Sequence, residues 1–186
     1  INNFAEFCPT TGEVWVSYVT GTADTNWKRT KTWNGSVLTN VDLALAGQLR
    51  YIRRLNVMAL HEQGQAGGTP GDFTTNLHLY DPVTRLKVKT ITVPATLNAW
   101  TLRTFGKFIA GTYVKTGTTR LRVWDLSWSQ IADYEISSTE AGIGSDLRTF
   151  TGNVYAAVFT EPTTKEEQLF IFCTGAVLLI AALGYA

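Results

Sequence analysis

Turn-forming residues recur at short intervals along this chain and separate stretches in which apolar and polar side chains alternate. Asn34-Gly35 is a strong signal for a tight hairpin, because both residues readily adopt positive φ. Asp81-Pro82-Val83-Thr84 places proline at the second position of a turn, which its fixed φ suits. Alternation with a period of two is typical of strands, which are predicted at 13–20, 49–62, 73–80, 86–93, 100–105, 108–115, 120–126, 134–136, 153–160 and 169–174. The fold class is therefore predicted to be all-β, an antiparallel β-sandwich of about nine or ten strands with at most one short helix.

Length and composition favour one globular domain. The 186 residues suit a single β-sandwich domain over 1–186, whose last part, 169–186, is an apolar strand region. Hydrophobic residues make up 45% and charged residues 17%, against about 25% in an average soluble protein, which excludes a disordered chain. The formal net charge is only +1. The overall charge therefore provides no attraction to nucleic acid or to an acidic membrane surface, although a local basic patch would.

The segment 41–63 fits two periodicities. Its leucines allow helical spacing, whereas the stretch from Leu49 onward alternates and includes Tyr51 and Val57, which favour strand. The prediction is a short helix or turn at 42–46 followed by one long strand over 49–62. The glycines and proline of 63–71 then predict an exposed loop.

The last 18 residues, 169–186, carry no charge, which meets the lower limit of length for a membrane-spanning helix. Phe170, Ile171 and Phe172 favour strand, and Gly175 interrupts the run. A buried or interface strand is therefore the prediction, and a membrane anchor remains the alternative. The predicted interface residues are Leu169, Phe170, Ile171, Phe172, Val177, Leu178, Leu179 and Ile180.

Cysteine and histidine residues are too few and too scattered for a structural zinc site. Cys8 and Cys173 allow either one disulfide between the terminal regions or two buried thiols, and the sequence leaves both open. His61 and His78 could face each other on neighbouring strands, but surface or partnered histidines are the commoner case.

Signatures of catalysis are absent from the sequence, which contains no Gly-x-Ser-x-Gly elbow. Asp133 and Glu135 share one face of a predicted strand, as an acid–base pair would, but a solvated sheet face is the simpler interpretation. No Asp-x-Asp-x-Asp loop supports a calcium site at Asp72, Asp125 or Asp133. The sequence therefore predicts no enzyme, no cofactor and no metal.

Binding surfaces are the more plausible functional features. Basic residues form short clusters that could meet phosphate groups or a partner, or form an ordinary solvated face. Trp124 and Trp128 are compatible with a platform for glycan stacking or with a buried core. Six tryptophans and the low charge indicate large buried interfaces. The basic residues are Lys28, Arg29 and Lys31, then Arg50, Arg53 and Arg54, and finally a one-sided stripe of Arg85, Lys87 and Lys89.

Three segments look like strands of a viral jelly roll: 13–21 (EVWVSYVTG), 49–57 (LRYIRRLNV), and 152–159 (GNVYAAVF) followed by Pro162. Together they resemble the shell domain of small icosahedral capsid proteins, which implies a jelly-roll-like sandwich. The segment 77–100, a hairpin followed by a Trp, is similar to part of the trimeric fibre head of adenovirus-like attachment proteins.

The resemblance implies a coat subunit of a virion that assembles with copies of itself as a trimer or larger. Its apolar and aromatic side chains would then form the interfaces, and its location would be the virion, or otherwise extracellular. Two alternatives are a trimeric attachment domain that binds a host receptor or glycan, and a carbohydrate-binding module in which Trp124, Trp128 or Trp100 stacks on a sugar. Nucleic-acid binding is left open, since the basic arm of such coat proteins is absent from the sequence, and membrane association is not expected.

Overall fold

The computed structural model describes residues 3–19, 28–64, 73–105, 108–137, 146–151, 154–160 and 167–173, and from residue 146 onward it describes strands and their pairing only. Nearly all of this is β-structure, with one 3-10 turn at Ala99–Thr101. The strands are β1 (Asn3–Cys8), β2 (Glu13–Val19), β3 (Lys28–Trp33), β4 (Leu38–Asp42), β5 (Gly47–Ile52), β6 (Val57–Gln63), β7 (Phe73–Tyr80), β8 (Lys87–Thr92), β9 (Arg103–Phe105), β10 (Phe108–Lys115), β11 (Thr118–Asp125), β12 (Gln130–Ser137), β13 (Asp146–Thr151), β14 (Val154–Thr160) and β15 (Glu167–Cys173).

The strands form four antiparallel sheets in which neighbours in sequence are neighbours in space. Sheet 1 contains β1 to β4, sheet 2 β5 to β8, sheet 3 β9 to β12, and sheet 4 β13 to β15. The predicted all-β, antiparallel class is confirmed. Successive four-stranded, up-and-down sheets are typical of the blades of β-propellers.

Two finer points differ from the expectation. Fifteen strands lie in the described part of the chain instead of about nine or ten, and no jelly-roll connection, in which strands distant in sequence pair, occurs among them. The physical reason is the shortness of the turns: residues 9–12, 34–37 and 53–56 each join two strands directly into a hairpin.

The predicted long strand over 49–62 is wrong in one respect, because residues 53–56 fold it into the hairpin of β5 and β6. Asn56 closes this turn with a φ of 49°, a conformation that asparagine tolerates better than most residues. The residues at 43–46 form a bend and not a helix. The hairpins predicted at Asn34-Gly35 and at 81–84 are both present, with Asp81 Oδ1 accepting from the backbone N–H groups of Val83 and Thr84 at 2.8 Å each.

The chain forms two compact units, residues 1–100 and 101–186. Sheets 1 and 2 lie in the first unit, and sheets 3 and 4 in the second. The single domain predicted over 1–186 stays a prediction.

Sheets 1 and 2 pack face to face, so the first unit is a β-sandwich. Their shared core is apolar, and the Trp15 and Tyr80 rings meet in it at a centroid distance of 5.9 Å. Cys8 is a buried thiol of this core. The fully buried residues of this core are Cys8, Trp15, Leu49, Met58, Leu60 and Tyr80.

In the second unit, β10 and β11 carry fully buried side chains, among them Ile109 and Leu121. In sheet 4, β15 pairs with β14, so residues 169–172 form a strand as predicted. No helix among the described residues has both the length and the apolar character needed to cross a membrane.

Candidate functional site

Charged and polar side chains converge where β6 ends and β7 begins. Glu62 Oε2 accepts hydrogen bonds from Asn76 Nδ2 at 2.9 Å, from Thr74 Oγ1 at 3.2 Å and from His78 Nε2 at 3.2 Å. Lys28 reaches Glu62 from sheet 1, with its Nζ 3.8 Å from Oε1. We call these five residues the Glu62 cluster.

The Glu62 cluster joins sheets 1 and 2 through a largely buried ion pair. Lys28 Nζ also donates to the Gln63 carbonyl at 2.5 Å. Burial lowers the pKa of Lys28, and the nearby Glu62 charge opposes that effect. Burial acts to raise the pKa of Glu62, but hydrogen bonds from Asn76 and His78 and the Lys28 charge outweigh it and lower that pKa. The carboxylate is therefore ionised at neutral pH.

The two histidines lie on opposite faces of sheet 2, because the register pairs His61 with Leu77 and His78 with Leu60. They do not face each other. His78 Nδ1 lies 2.8 Å from Thr90 Oγ1 on β8, which extends the cluster across three strands. His61 is fully buried, stacks on Phe73 at 4.9 Å, and donates from Nε2 to the Thr74 carbonyl at 2.9 Å.

Burial dominates the titration of His61. It lowers the pKa of that imidazole to about 4, so the ring is neutral at physiological pH. A neutral, buried and hydrogen-bonded ring is a structural group in the core. His61 therefore offers no accessible base.

A second polar ladder crosses sheet 3. Asp133 on β12 accepts from Tyr113 at 2.6 Å, from Arg120 Nε at 2.8 Å and from Arg122 Nη2 at 2.8 Å. Arg120 also donates to Glu135 at 3.1 Å, and the Arg122 guanidinium carbon lies 4.8 Å from the centroid of the Tyr113 ring.

The predicted proximity of Asp133 and Glu135 is present, but arginines neutralise both. Burial acts to raise the pKa of Asp133, and the hydrogen bonds from Tyr113, Arg120 and Arg122 outweigh it and lower that pKa. A general acid needs the opposite shift. The pair is thus a cross-strand ion-pair ladder, a structural role of the kind that the simpler interpretation anticipated.

The predicted basic clusters are divided among different partners. Arg50 pairs with Glu6 at 3.4 Å. Arg53 and Arg54 are exposed in the turn between β5 and β6. In the cluster of Lys28, Arg29 and Lys31, Lys28 belongs to the Glu62 cluster, and Arg29 donates to the Leu43 carbonyl at 2.9 Å.

The prediction that Arg85, Lys87 and Lys89 form a one-sided stripe is wrong. Arg85 lies in the turn before β8 with a φ of 60° and donates to Glu13 at 2.7 Å and to Thr32 at 3.2 Å, which ties sheet 2 to sheet 1. Lys87 and Lys89 remain exposed on β8, the outermost strand of sheet 2.

The tryptophan pair belongs to the core. Trp124 and Trp128 are both buried, and their ring centroids lie 5.7 Å apart. Neither ring presents a face to a sugar, so the glycan platform at these residues is not supported, and the core alternative is confirmed. Asp125, between them, accepts from the backbone N–H groups of Ser127 and Ser129 at 2.9 Å each.

The predicted C-terminal interface is described only in part. Leu169 to Phe172 lie on β15, where Leu169 pairs with Val158 and Phe172 with Tyr155. Val177, Leu178, Leu179 and Ile180 lie outside the described residues. Among the described residues, no group of three or more His, Cys, Asp or Glu side chains is placed to hold a metal ion.

The Glu62 cluster was not predicted from the sequence. Alternation predicts that Glu62 and Leu60 share one face of their strand and that His78 and Asn76 share one face of theirs. Nothing in the sequence gives the register in which β6 pairs with β7. The bulge between His61 and Gln63 shifts that register and makes it harder to predict.

Comparison with known proteins identifies a shared fold only. No protein-family model matches the chain, and no curated protein matches it. A solved structure from a study of two prolyl endopeptidases matches 95% of this chain and 25% of its own, with a TM-score of 0.56 and 11% identity. A eukaryotic initiation factor matches 94% of this chain and 44% of its own, with a TM-score of 0.57 and 12% identity. The chain thus spans less than half the length of either structure.

Proposed function

We propose that this chain is a non-enzymatic structural protein that assembles with copies of itself through apolar sheet surfaces. The observation that carries the proposal is the number of large apolar side chains that the first unit leaves in solvent. Exposed apolar surface of this kind marks interfaces with other molecules. These side chains are Phe7, Trp33, Val37, Leu38, Leu43, Val83, Leu86, Val88 and Trp100.

The polar clusters support a structural role over catalysis. Glu62 and Asp133 are each held ionised by hydrogen-bonded neighbours, and His61 is neutral and buried. Acid–base catalysis uses groups whose pKa is moved toward the working pH and which can reach a substrate. These groups instead join strands and sheets.

The more specific role of a virion coat subunit remains a proposal that rests on the resemblance of three sequence segments. The up-and-down connectivity of the sheets adds no support to it. Of the two alternatives, the carbohydrate-binding module loses two of its three candidate residues because Trp124 and Trp128 are buried, and it retains Trp100, which is 46% exposed. Location in the virion depends on the coat role and is proposed only with it.

The test is the native mass of the full chain, measured by light scattering from about 5 μM to about 500 μM, a range that detects weak as well as stable association. A mass that rises with concentration to a defined multiple of the chain mass is the expected result. A monomer over the whole range would contradict self-assembly.

A further inference from the structure

Within the part of the chain that the structure describes, sheet 1 has one face covered by sheet 2 and one open face. On the covered face, the register aligns Glu6, Trp15 and Thr32, and each contacts sheet 2. Glu6 accepts from the Tyr51 backbone N–H at 3.1 Å, the Trp15 ring packs on Tyr80, and Thr32 accepts from Arg85. Packing of this kind shows that sheet 1 binds another sheet face to face.

The open face carries an apolar row across all four strands. The register pairs Phe7 with Val14, Val14 with Trp33, and Trp33 with Leu38, so these four side chains point to the same side. Phe7 is 56% exposed, Trp33 44% and Leu38 55%. The next row consists of Ala5, Val16, Lys31 and Asn40, with Lys31 as its single charge.

This open face is complementary to itself. A two-fold axis parallel to the strands places β1 over β4 of a second copy and β2 over β3, and it keeps each row at its own height. Phe7 then meets Leu38 and Val14 meets Trp33, so that each aromatic ring lies against an aliphatic side chain. In the second row, Lys31 meets Val16 and never another Lys31, which avoids opposing like charges.

We propose that the open face of sheet 1 is an interface with a second copy of this chain, related by a two-fold axis along the strands. Two-fold dimers in which both copies use one surface are the commonest homo-oligomers. The inference rests on the proposed function, since it names the surface through which copies meet. The arrangement is an aligned packing of two sheets, about 10 Å apart.

The size of the face sets the expected strength. Four strands at the usual spacing of about 4.8 Å form a sheet about 19 Å wide. Strands of about six residues make the face about 20 Å long, so each copy offers about 400 Å² of projected area, at the small end of what specific interfaces bury. We therefore expect a reversible dimer with a dissociation constant on the order of 10 μM.

The test compares three single variants of the full chain by sedimentation equilibrium. Trp33→Lys and Phe7→Lys place a charge in the apolar row, and each is expected to raise the dissociation constant at least about 10-fold. Ile131→Lys is the matched control, because Ile131 is 51% exposed but lies on β12 of sheet 3. It is expected to dimerise like the wild type.

Far-UV circular dichroism checks that each variant is folded, and if one of the two interface variants misfolds, the other decides. If the wild type associates but neither interface variant weakens it, the interface is wrong while the proposed self-assembly stands. If the wild type is a monomer at every concentration, both proposals fail. In that case a further blade-type sheet of a longer polypeptide becomes the better candidate for the open face.

Discussion

A single buried histidine is expected to control how this protein responds to mild acid. The folded state holds the pKa of His61 at about 4, below its value of about 6.5 in an unfolded chain. Protonation between these two values favours the unfolded state, so stability is complete above pH 6.5 and falls as the pH drops toward 4. The difference corresponds to a loss of about 3 kcal/mol in the free energy of unfolding.

His61→Leu is expected to remove most of this pH dependence. At neutral pH the variant should be about 1 kcal/mol less stable, because the Thr74 carbonyl loses its donor. Denaturant titrations at about pH 7 and about pH 4.5 measure both effects. If the wild type and the variant lose the same stability between the two pH values, another group is responsible.

Glu62 is expected to matter far more than a carboxylate at the surface. Glu62→Gln removes the negative charge that Lys28 faces and replaces one acceptor oxygen with an NH2 donor in a largely buried site, which should cost about 1–3 kcal/mol. Glu135→Gln is the matched control, since its side chain is 52% exposed and its single ion pair should be worth less than about 1 kcal/mol.

The pH dependence of stability provides a second test of Glu62→Gln. Because the folded state lowers the pKa of Glu62, its stabilising effect is present above the unfolded value and is lost as the pH falls through the folded one. The difference between wild type and Glu62→Gln should therefore shrink below about pH 4. Equal costs for Glu62→Gln and Glu135→Gln at neutral pH would contradict the role of the cluster.

At the scale of elements, the approach of β5 to β6 depends on one glycine. A Cβ atom on residue 47 would overlap the backbone carbonyl oxygen of His61, and backbone cannot move aside as a flexible side chain does. Gly47→Ala is expected to destabilise the fold by about 3 kcal/mol or more. The melting temperature measures the loss.

Gly35→Ala provides the comparison for Gly47→Ala. Gly35 has a φ of 102° and open space around its Cα, so alanine there meets backbone strain but no steric overlap. We expect a loss of about 1–2 kcal/mol. A melting temperature of Gly47→Ala equal to or above that of Gly35→Ala would show that the two strands do not approach so closely.

The accuracy of the sequence-based prediction varied with the strength of each local signal. Strand β10 was predicted with its observed bounds, 108–115, and the hairpins at Asn34-Gly35 and 81–84 were found because their turns use residues with special backbone preferences. The turn at 53–56 contains neither Gly nor Pro, so its two strands were merged into one. Strand β1 was missed because its short sequence, NFAEFC, has no turn signal before it.

The candidate site was harder to predict than the strands. Glu62, Asn76 and His78 meet through the pairing of β6 with β7, and Lys28 comes from another sheet. Such contacts depend on register and on sheet packing, neither of which a local pattern specifies. The tryptophan pair shows the same limit. Whether Trp124 and Trp128 lie in the core or form a platform for a glycan depends on their burial, which the local sequence pattern does not specify.

At the scale of the whole molecule, low charge and exposed apolar side chains point in one direction. The chain has 17% charged residues and leaves Phe7, Trp33 and Leu38 about half exposed. Covering these side chains at an interface removes their apolar surface from water. The serial, up-and-down sheets provide flat faces for this purpose, and sheet 1 already uses one of them within its own unit. We therefore expect two copies of the chain to associate through the open face of sheet 1.

Native mass spectrometry of labelled and unlabelled full chains, mixed in equal amounts, is the decisive test of self-association. Above about 10 μM, we expect a mixed species midway in mass between the labelled and unlabelled dimers. Its abundance should approach twice that of either pure dimer. Spectra that contain only the two monomer masses, at every concentration up to about 500 μM, would show that the chain does not self-associate.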